Sequence, residues 1–323
     1  MKKVYPTKLQ QGDEIRVISP SSSIVRAGGF EENLIAKERI EALGFKVTFG
    51  AHILEDDMLS SASIASRVSD FHTAFADKKV KAILTTIGGY NCNELLPYID
   101  WELVRKNPKA FIGYSDTTSL HNAIFAKTGL VTYYGPAYSS FKMDELQDFQ
   151  TSEWLKSLTE ETYDLEANNL WASDPWYDLT QPRYTMKNQW KVYSEGFAKG
   201  VITGGNLGTY FLQAGTEFFI KVNNPIVFIE NAEEDDILNF DRQLTQVLQI
   251  NSDLKGLVIG RFPSVTKMSE DILFFILEKF PVLKKIPVIY DVDFGHTQPI
   301  FTFPLGGEVE ISTTPLSLKI LKG

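Results

Sequence analysis

The sequence predicts an α/β protein in two parts, and three observations support this. In the first 145 residues, short apolar runs alternate with segments of helical spacing. Most of those apolar runs end in glycine, serine or another turn residue. From about residue 196 a second unit begins, with more strand-like than helix-like sequence. Strands alternating with helices imply βαβ units and a mostly parallel sheet, so residues 1–145 are expected as a Rossmann- or flavodoxin-like domain. Residues 196–323 are expected as a β-rich α/β domain.

"EIRVISPSS" (14–22) is a β-rich run ending in turn residues. "FEENLIAKERIEALGF" (30–45) spaces Leu34, Ile35, Ile40 and Leu43 as a helix does, and Gly44 stops it. "KVTFG" (46–50) is a short strand, and the run 64–80 is helical through Val68, Phe71 and Phe75. "KAILTTIGG" (81–89) is a strand ending in glycines, "NELLPYI" a short helix, and "KAFIGY" (109–114) another strand. Parallel sheets bind ligands at the carboxyl ends of their strands, where "IGGYN" and "GYSD" both fall.

Residues 146–195 break the alternation. They are polar and hold Trp154, Trp171, Trp176 and Trp190, four of the five tryptophans. They are expected to be a linker with a long exposed loop. Beyond them come "GGNLG" (204–208), taken as a tight turn, and "PIVFIENAEEDD". A helix "ILNFDRQLTQVLQ" follows, then "KGLVIGRF", a helix "SEDILFFILEKF" and "PVIYDVDFGHTQP".

With 323 residues the chain has room for two domains and a substantial core. Lys and Arg total 32 against 41 Asp and Glu, a net charge of −9. No nucleic-acid partner is expected from an acidic chain without a basic patch. Cys92 is the single cysteine, so neither an internal disulfide nor a cysteine metal site is available. Four scattered histidines supply no metal set, and no cofactor is expected. No secretory leader and no run of 18 apolar residues is seen, which gives a cytoplasmic protein with no membrane partner as the expectation.

Ser115 in "AFIGYSDTTSLHNAIF" stands where a strand must turn into a helix. A serine there is either a nucleophile at an elbow or an N-cap. A nucleophile needs a base, a group to orient that base, and donors for the oxyanion. His121 follows in the same helix and points away, while His52 and His72 look like surface residues. His296 in "DFGHTQP" lies in a loop after a strand and is the candidate base; otherwise it is a loop histidine with a structural hydrogen bond. Glu230 continues the strand "PIVFIE" and is the candidate orienting acid. Glu233, Glu234, Asp235 and Asp236 read as a solvated helix start. The Asp116 amide is one candidate oxyanion donor, and Gly88 and Gly89 offer backbone that can approach closely. Tyr90, Asn91 and Asn206 are candidate substrate contacts. Cys92 reads as a small helix-start residue rather than a second nucleophile.

"IGGYNCNELLPYID", "FIGYSDTTSLHNAIFAKTGLVTYYGP", "GGNL", "FIEN" and "DFGHTQP" together resemble the serine peptidases of the LD-carboxypeptidase family. The likeness is greater to the branch of microcin C self-immunity proteins. It implies a Ser-Glu-His triad of Ser115, Glu230 and His296, an oxyanion hole at Asp116 and the glycine pair, and a homodimer. It implies one of two substrates: the amide between an aminoacyl group and a nucleotide-like moiety, or the terminal D-alanine of a muropeptide. Asn231 stands where the family often has Asp, and Cys92 where the immunity branch often has Ser. Trp171 or Trp176 would then stack on a purine, or else the tryptophans cover the domain junction. The competing class is a non-catalytic small-molecule-binding α/β protein.

Overall fold

The computed structural model describes residues 2–178 and 180–323. The first strands are β1 (Glu14–Ile18), β2 (Lys46–Phe49), β3 (Val80–Thr85), β4 (Ala110–Gly113) and β5 (Thr132–Tyr134). They are all parallel, in the order β2-β1-β3-β4-β5. That is the flavodoxin-like order, which leaves a crevice at the carboxyl ends of its strands. The helices between them are α1 (Gly29–Glu32), α2 (Leu34–Ala42), α3 (Ile64–Ala76), α4 (Trp101–Lys106) and α5 (Thr118–Thr128). The four-residue strand β4 is buried throughout, as expected when helices cover both faces of a parallel sheet.

Residues 146–195 are more ordered than the linker and exposed loop expected of them. Helix α6 (Gln147–Thr159) carries Trp154 at 0% exposure into the core of the first sheet. Strands β6 (Tyr163–Leu165) and β9 (Lys191–Ser194) form the two edges of the second sheet, and β7 (Leu170–Trp171) pairs with β8 (Met186–Lys187) as a small ribbon. Trp176 and Trp190 are also buried. The segment is polar on average, but Trp154, Tyr163, Trp176 and Trp190 are buried, and this burial outweighs composition.

The second sheet continues with β10 (Phe197–Asn206), β11 (Pro225–Glu230), β12 (Gly256–Gly260) and β13 (Val288–Val292), which are parallel to one another. Helix α7 (Leu207–Tyr210) follows β10, α8 (Ile237–Ile250) follows β11, and α9 (Glu270–Glu278) follows β12. "GGNLG" is therefore not a free turn. Gly204, Gly205 and Asn206 pair with Phe228, Ile229 and Glu230, so strand β10 runs through it. Strand β14 (Phe303–Leu305) crosses back and adds antiparallel to β5 of the first sheet. The hairpin β15 (Glu308–Thr313) and β16 (Leu316–Lys322) completes the second sheet between β10 and β6. The chain is thus a parallel sheet in its N-terminal part and a separate, sheet-rich C-terminal part, laced by β14. Among the described residues no helix is long and apolar enough to cross a membrane.

Candidate active site

The elbow comes first. Strand β4 ends at Gly113, and Ser115 follows at φ 61°, a left-handed conformation that costs a side-chain-bearing residue on the order of 1 kcal/mol. The turn is over-determined by its surroundings. The Ser115 N–H donates to the Tyr134 hydroxyl at 3.2 Å. The Asp116 carboxylate accepts from the Ser21 hydroxyl at 2.6 Å and from the Cys92 N–H at 2.8 Å. Asp116 thereby ties together the loops after β1, β3 and β4. Gly88 lies directly against Ser115, where a Cβ would sit 2.8 Å from Ser115 Oγ. Gly89, at φ 151°, has no space for a Cβ beside Ser21 and Ser22.

The candidate acid and base come from the other sheet. Glu230 ends β11 and is fully buried. His296 stands in the loop after β13, with Nδ1 2.7 Å from Glu230 Oε2 and Nε2 3.1 Å from Ser115 Oγ. The Tyr134 hydroxyl donates to the other carboxylate oxygen at 2.6 Å. Burial alone would raise the pKa of Glu230. The charge of His296, with hydrogen bonds from His296, Tyr134 and Asn206, outweighs that and holds the carboxyl below its ordinary value. Burial likewise disfavours the imidazolium, but Glu230, then Glu233 and Glu234, raise His296 to about 9. Gly295, at φ 99°, lets this loop pass over the acid, since a Cβ there would lie 2.6 Å from Glu230 Oε2. A hydroxyl, an imidazole nitrogen pair and a buried carboxylate in this order can activate a nucleophile.

A cavity of about 530 Å³ opens on Ser115 and His296. Gly88, Gly89, Tyr90 and Trp176 line it, as do Tyr114 and Tyr177. Not every residue expected at the site reaches it. Asn206 caps α7, with Oδ1 accepting from the Thr209 N–H, and supports Glu230 from behind. The Asn91 side chain accepts from Ser21 at 3.3 Å, and Asn91 does not line the cavity. Trp171 lies elsewhere, with the Arg261 guanidinium 4.7 Å from its ring in a separate cavity. Ribbon pairing with Met186 holds it there. Cys92 is fully buried, and burial followed by the Asp116 charge pushes its thiol well above the ordinary value, which suits packing and not nucleophilic attack. His121 is also buried, between Thr132 Oγ1 and the Gly113 carbonyl.

Several residues went unnoticed in the sequence. Tyr134 bridges the Ser115 amide and Glu230, yet it lies within the apolar-looking "VTYYGP" and gives no local signal. Asp293 accepts from Trp190 Nε1 at 3.0 Å, from Asn188 and from the Asn168 N–H, and pairs with Arg261 at 2.8 Å. Ala172 and Gln298 exchange two backbone hydrogen bonds. Together these contacts pin the tryptophan-bearing loop on both flanks of His296. Glu233 and Glu234 line the cavity together with Arg26 and Lys142, where a solvated helix start was expected. The cap of α8 is Asp236, so the two glutamates precede the helix and are free to face the site.

Comparison with known proteins bears on the same residues. The LD-carboxypeptidase N-terminal domain matches residues 15–135, and the LD-carboxypeptidase C-terminal domain matches residues 199–311. The chain belongs to the LD-carboxypeptidase family. It is therefore a serine-type carboxypeptidase. YocD of Bacillus subtilis (strain 168), named as a carboxypeptidase, is 41% identical over 313 residues, covering 95% of this chain and 96% of YocD. The crystal structure of an MccF-like protein from Bacillus anthracis str. Ames superimposes with a TM-score of 0.96 at 42% identity, over 99% of this chain and 100% of that one. The microcin C7 self-immunity protein MccF of Escherichia coli is 32% identical over 292 residues, 85% of this chain and 83% of MccF. Its structure in complex with aspartyl sulfamoyl adenosine has a TM-score of 0.90 at 29% identity, over 99% of both chains.

Proposed function

We propose that this LD-carboxypeptidase family member uses Ser115, Glu230 and His296 as a catalytic triad. Its substrate would be the amide joining an aminoacyl group to a nucleotide-like moiety. His296 takes the Ser115 proton as the oxygen attacks the carbonyl, and Glu230 fixes the imidazole tautomer and stabilises the imidazolium. The amides of Asp116 and Gly89 hold the oxyanion. His296 then protonates the leaving nitrogen, and water releases the acyl-enzyme.

The observation that supports this substrate best is the position of Trp176. It shares one cavity with Ser115 and His296, beside Tyr177 and Tyr90. An aromatic face at that place suits a flat base, and such stacking contributes about 1–3 kcal/mol. Arg26 and Lys142 on the same cavity suit the phosphate or sulfamoyl link.

The test is a hydrolysis assay with an aminoacyl sulfamoyl adenosine and an L,D-tetrapeptide of muropeptide type side by side, with Ser115→Ala as control. Cleavage of the first alone supports the reading. Cleavage of the tetrapeptide alone replaces it with cell-wall recycling. Trp176→Ala is expected to raise KM for the nucleotide substrate about 5- to 150-fold, the equivalent of that stacking energy. Trp171→Ala is expected to leave it unchanged.

A further inference from the structure

At the opposite end of the first sheet, a second cavity of about 350 Å³ collects positive charge. It lies against the amino-terminal ends of β3 and β4, so the length of the strands separates it from Ser115. Five lysines line it: Lys8, Lys78, Lys81, Lys106 and Lys109. Asp13 is the one carboxylate in the lining, and it accepts from the Gln10 N–H.

Among the described residues none of the five lysines is ion-paired. Lys8 Nζ donates to the Ser157 carbonyl at 2.8 Å and to the Tyr133 hydroxyl at 3.2 Å. Lys81 Nζ donates to the Lys78 carbonyl, and Lys78 Nζ to Asn107 Oδ1. Lys109, only 6% exposed, donates to the carbonyls of Ala74 and Asp77. Carbonyls orient these ammonium groups but leave their charge unbalanced. Of the nearby acids, Asp77 pairs with Arg16.

Burial acts on two of these lysines, and crowding adds to it at Lys109. Burial, then the neighbouring charges of Lys78, Lys81 and Arg16 working against Asp77, draws Lys109 down to about 8. Burial does the same to Lys8, against the pull of Glu161 and Glu160. A chain of net charge −9 that gathers five unpaired ammonium groups around one hollow has a local field opposite to its total. Like charges held together cost free energy that a counter-anion recovers.

We propose that this hollow is a binding site for a small, multiply charged phosphate anion of the pyrophosphate class. Lysine suits such a ligand as a point charge with three donors, and the hollow is of ligand size. Exposed Lys78, Lys81 and Lys106 would close on the anion, while Lys8 and Lys109 form its floor. The site is distinct from the cavity at Ser115 and does not depend on what that cavity cleaves.

Calorimetric titration of the whole chain with inorganic pyrophosphate tests the proposal, at about 50 mM salt where screening is weak. Saturable binding is expected, and the double variant Lys81→Gln/Lys106→Gln, at two exposed positions, should weaken it at least about 10-fold by loss of two charge contacts. Arg26→Gln, in the cavity at Ser115, should leave it unchanged. Absence of binding up to about 1 mM, which corresponds to roughly 4 kcal/mol, would overturn the proposal. So would equal binding by the double variant, or loss of binding in Arg26→Gln.

Discussion

The two sides of the candidate site are built by different physics. The Ser115 side is backbone geometry: Ser115 in a left-handed turn, two crowding glycines, and Asp116 binding three loop ends together. The His296 side is buried electrostatics: Glu230 with no exposure, held by His296 and Tyr134. Both sides join residues distant in sequence: Ser21 and Asp116 are 95 positions apart on the first, and the partners of Glu230 are 66 and 96 positions away on the second. Local geometry can be fixed by small residues. A buried charge can be kept only by partners that the fold delivers.

Predictions can break this contrast. The largest effect is expected at its meeting point. Ser115→Ala should cost on the order of 10⁴-fold or more in kcat/KM, with the melting temperature nearly unchanged, because alanine occupies the same turn. Substantial residual turnover would remove Ser115 from the reaction.

Glu230→Gln should cost up to about 10⁴-fold, as loss of the orienting carboxylate does in Ser-His-Asp triads. Unlike Ser115→Ala, it should also lower the melting temperature and carry the pKa of His296 down. Equal stability in the two variants would erase the proposed difference between the two sides.

The pH dependence sharpens the same point. A neutral imidazole accepts the serine proton, so kcat/KM should rise with pH through about 9, where His296 titrates in the folded protein. Stability should run the other way. The folded value lies above the unfolded one of about 6.5, so stabilisation by the charged pair is full below that and is lost as pH rises through about 9. Thermal melts and rates measured from pH 6 to 10 should therefore cross. Parallel profiles would contradict the buried charge pair.

Smaller effects are expected further out. Tyr134→Phe removes one hydroxyl from the Ser115 amide and from Glu230, about 1–1.5 kcal/mol or roughly 10-fold in kcat with little change in KM. Glu233→Gln with Glu234→Gln should only move the rising pH limb to lower pH, because both charges raise His296. An unmoved limb would show that these exposed acids are screened from the imidazole.

The sequence alone made the alternation of β and α legible, because periods of 2 and 3.6 are local. Ser115, Glu230 and His296 were each visible at a strand end, where the chain must turn. The structure places His296 within hydrogen-bond reach of both Ser115 and Glu230. Tertiary structure alone decided which of the surrounding residues face the cavity. Trp171 and Trp176 are five positions apart in one loop, yet ribbon pairing and the Asp293 and Gln298 anchors send one to Arg261 and the other to Ser115. Asn91 and Asn206 are polar residues at strand ends like the others, and hydrogen bonds to Ser21 and Thr209 turn them inward. Tyr134 looks like a core aromatic in the sequence and acquires its role only when β5 and β11 bring its hydroxyl to Glu230. Such direction comes from contacts between distant parts of the chain, and a sequence pattern carries no measure of them.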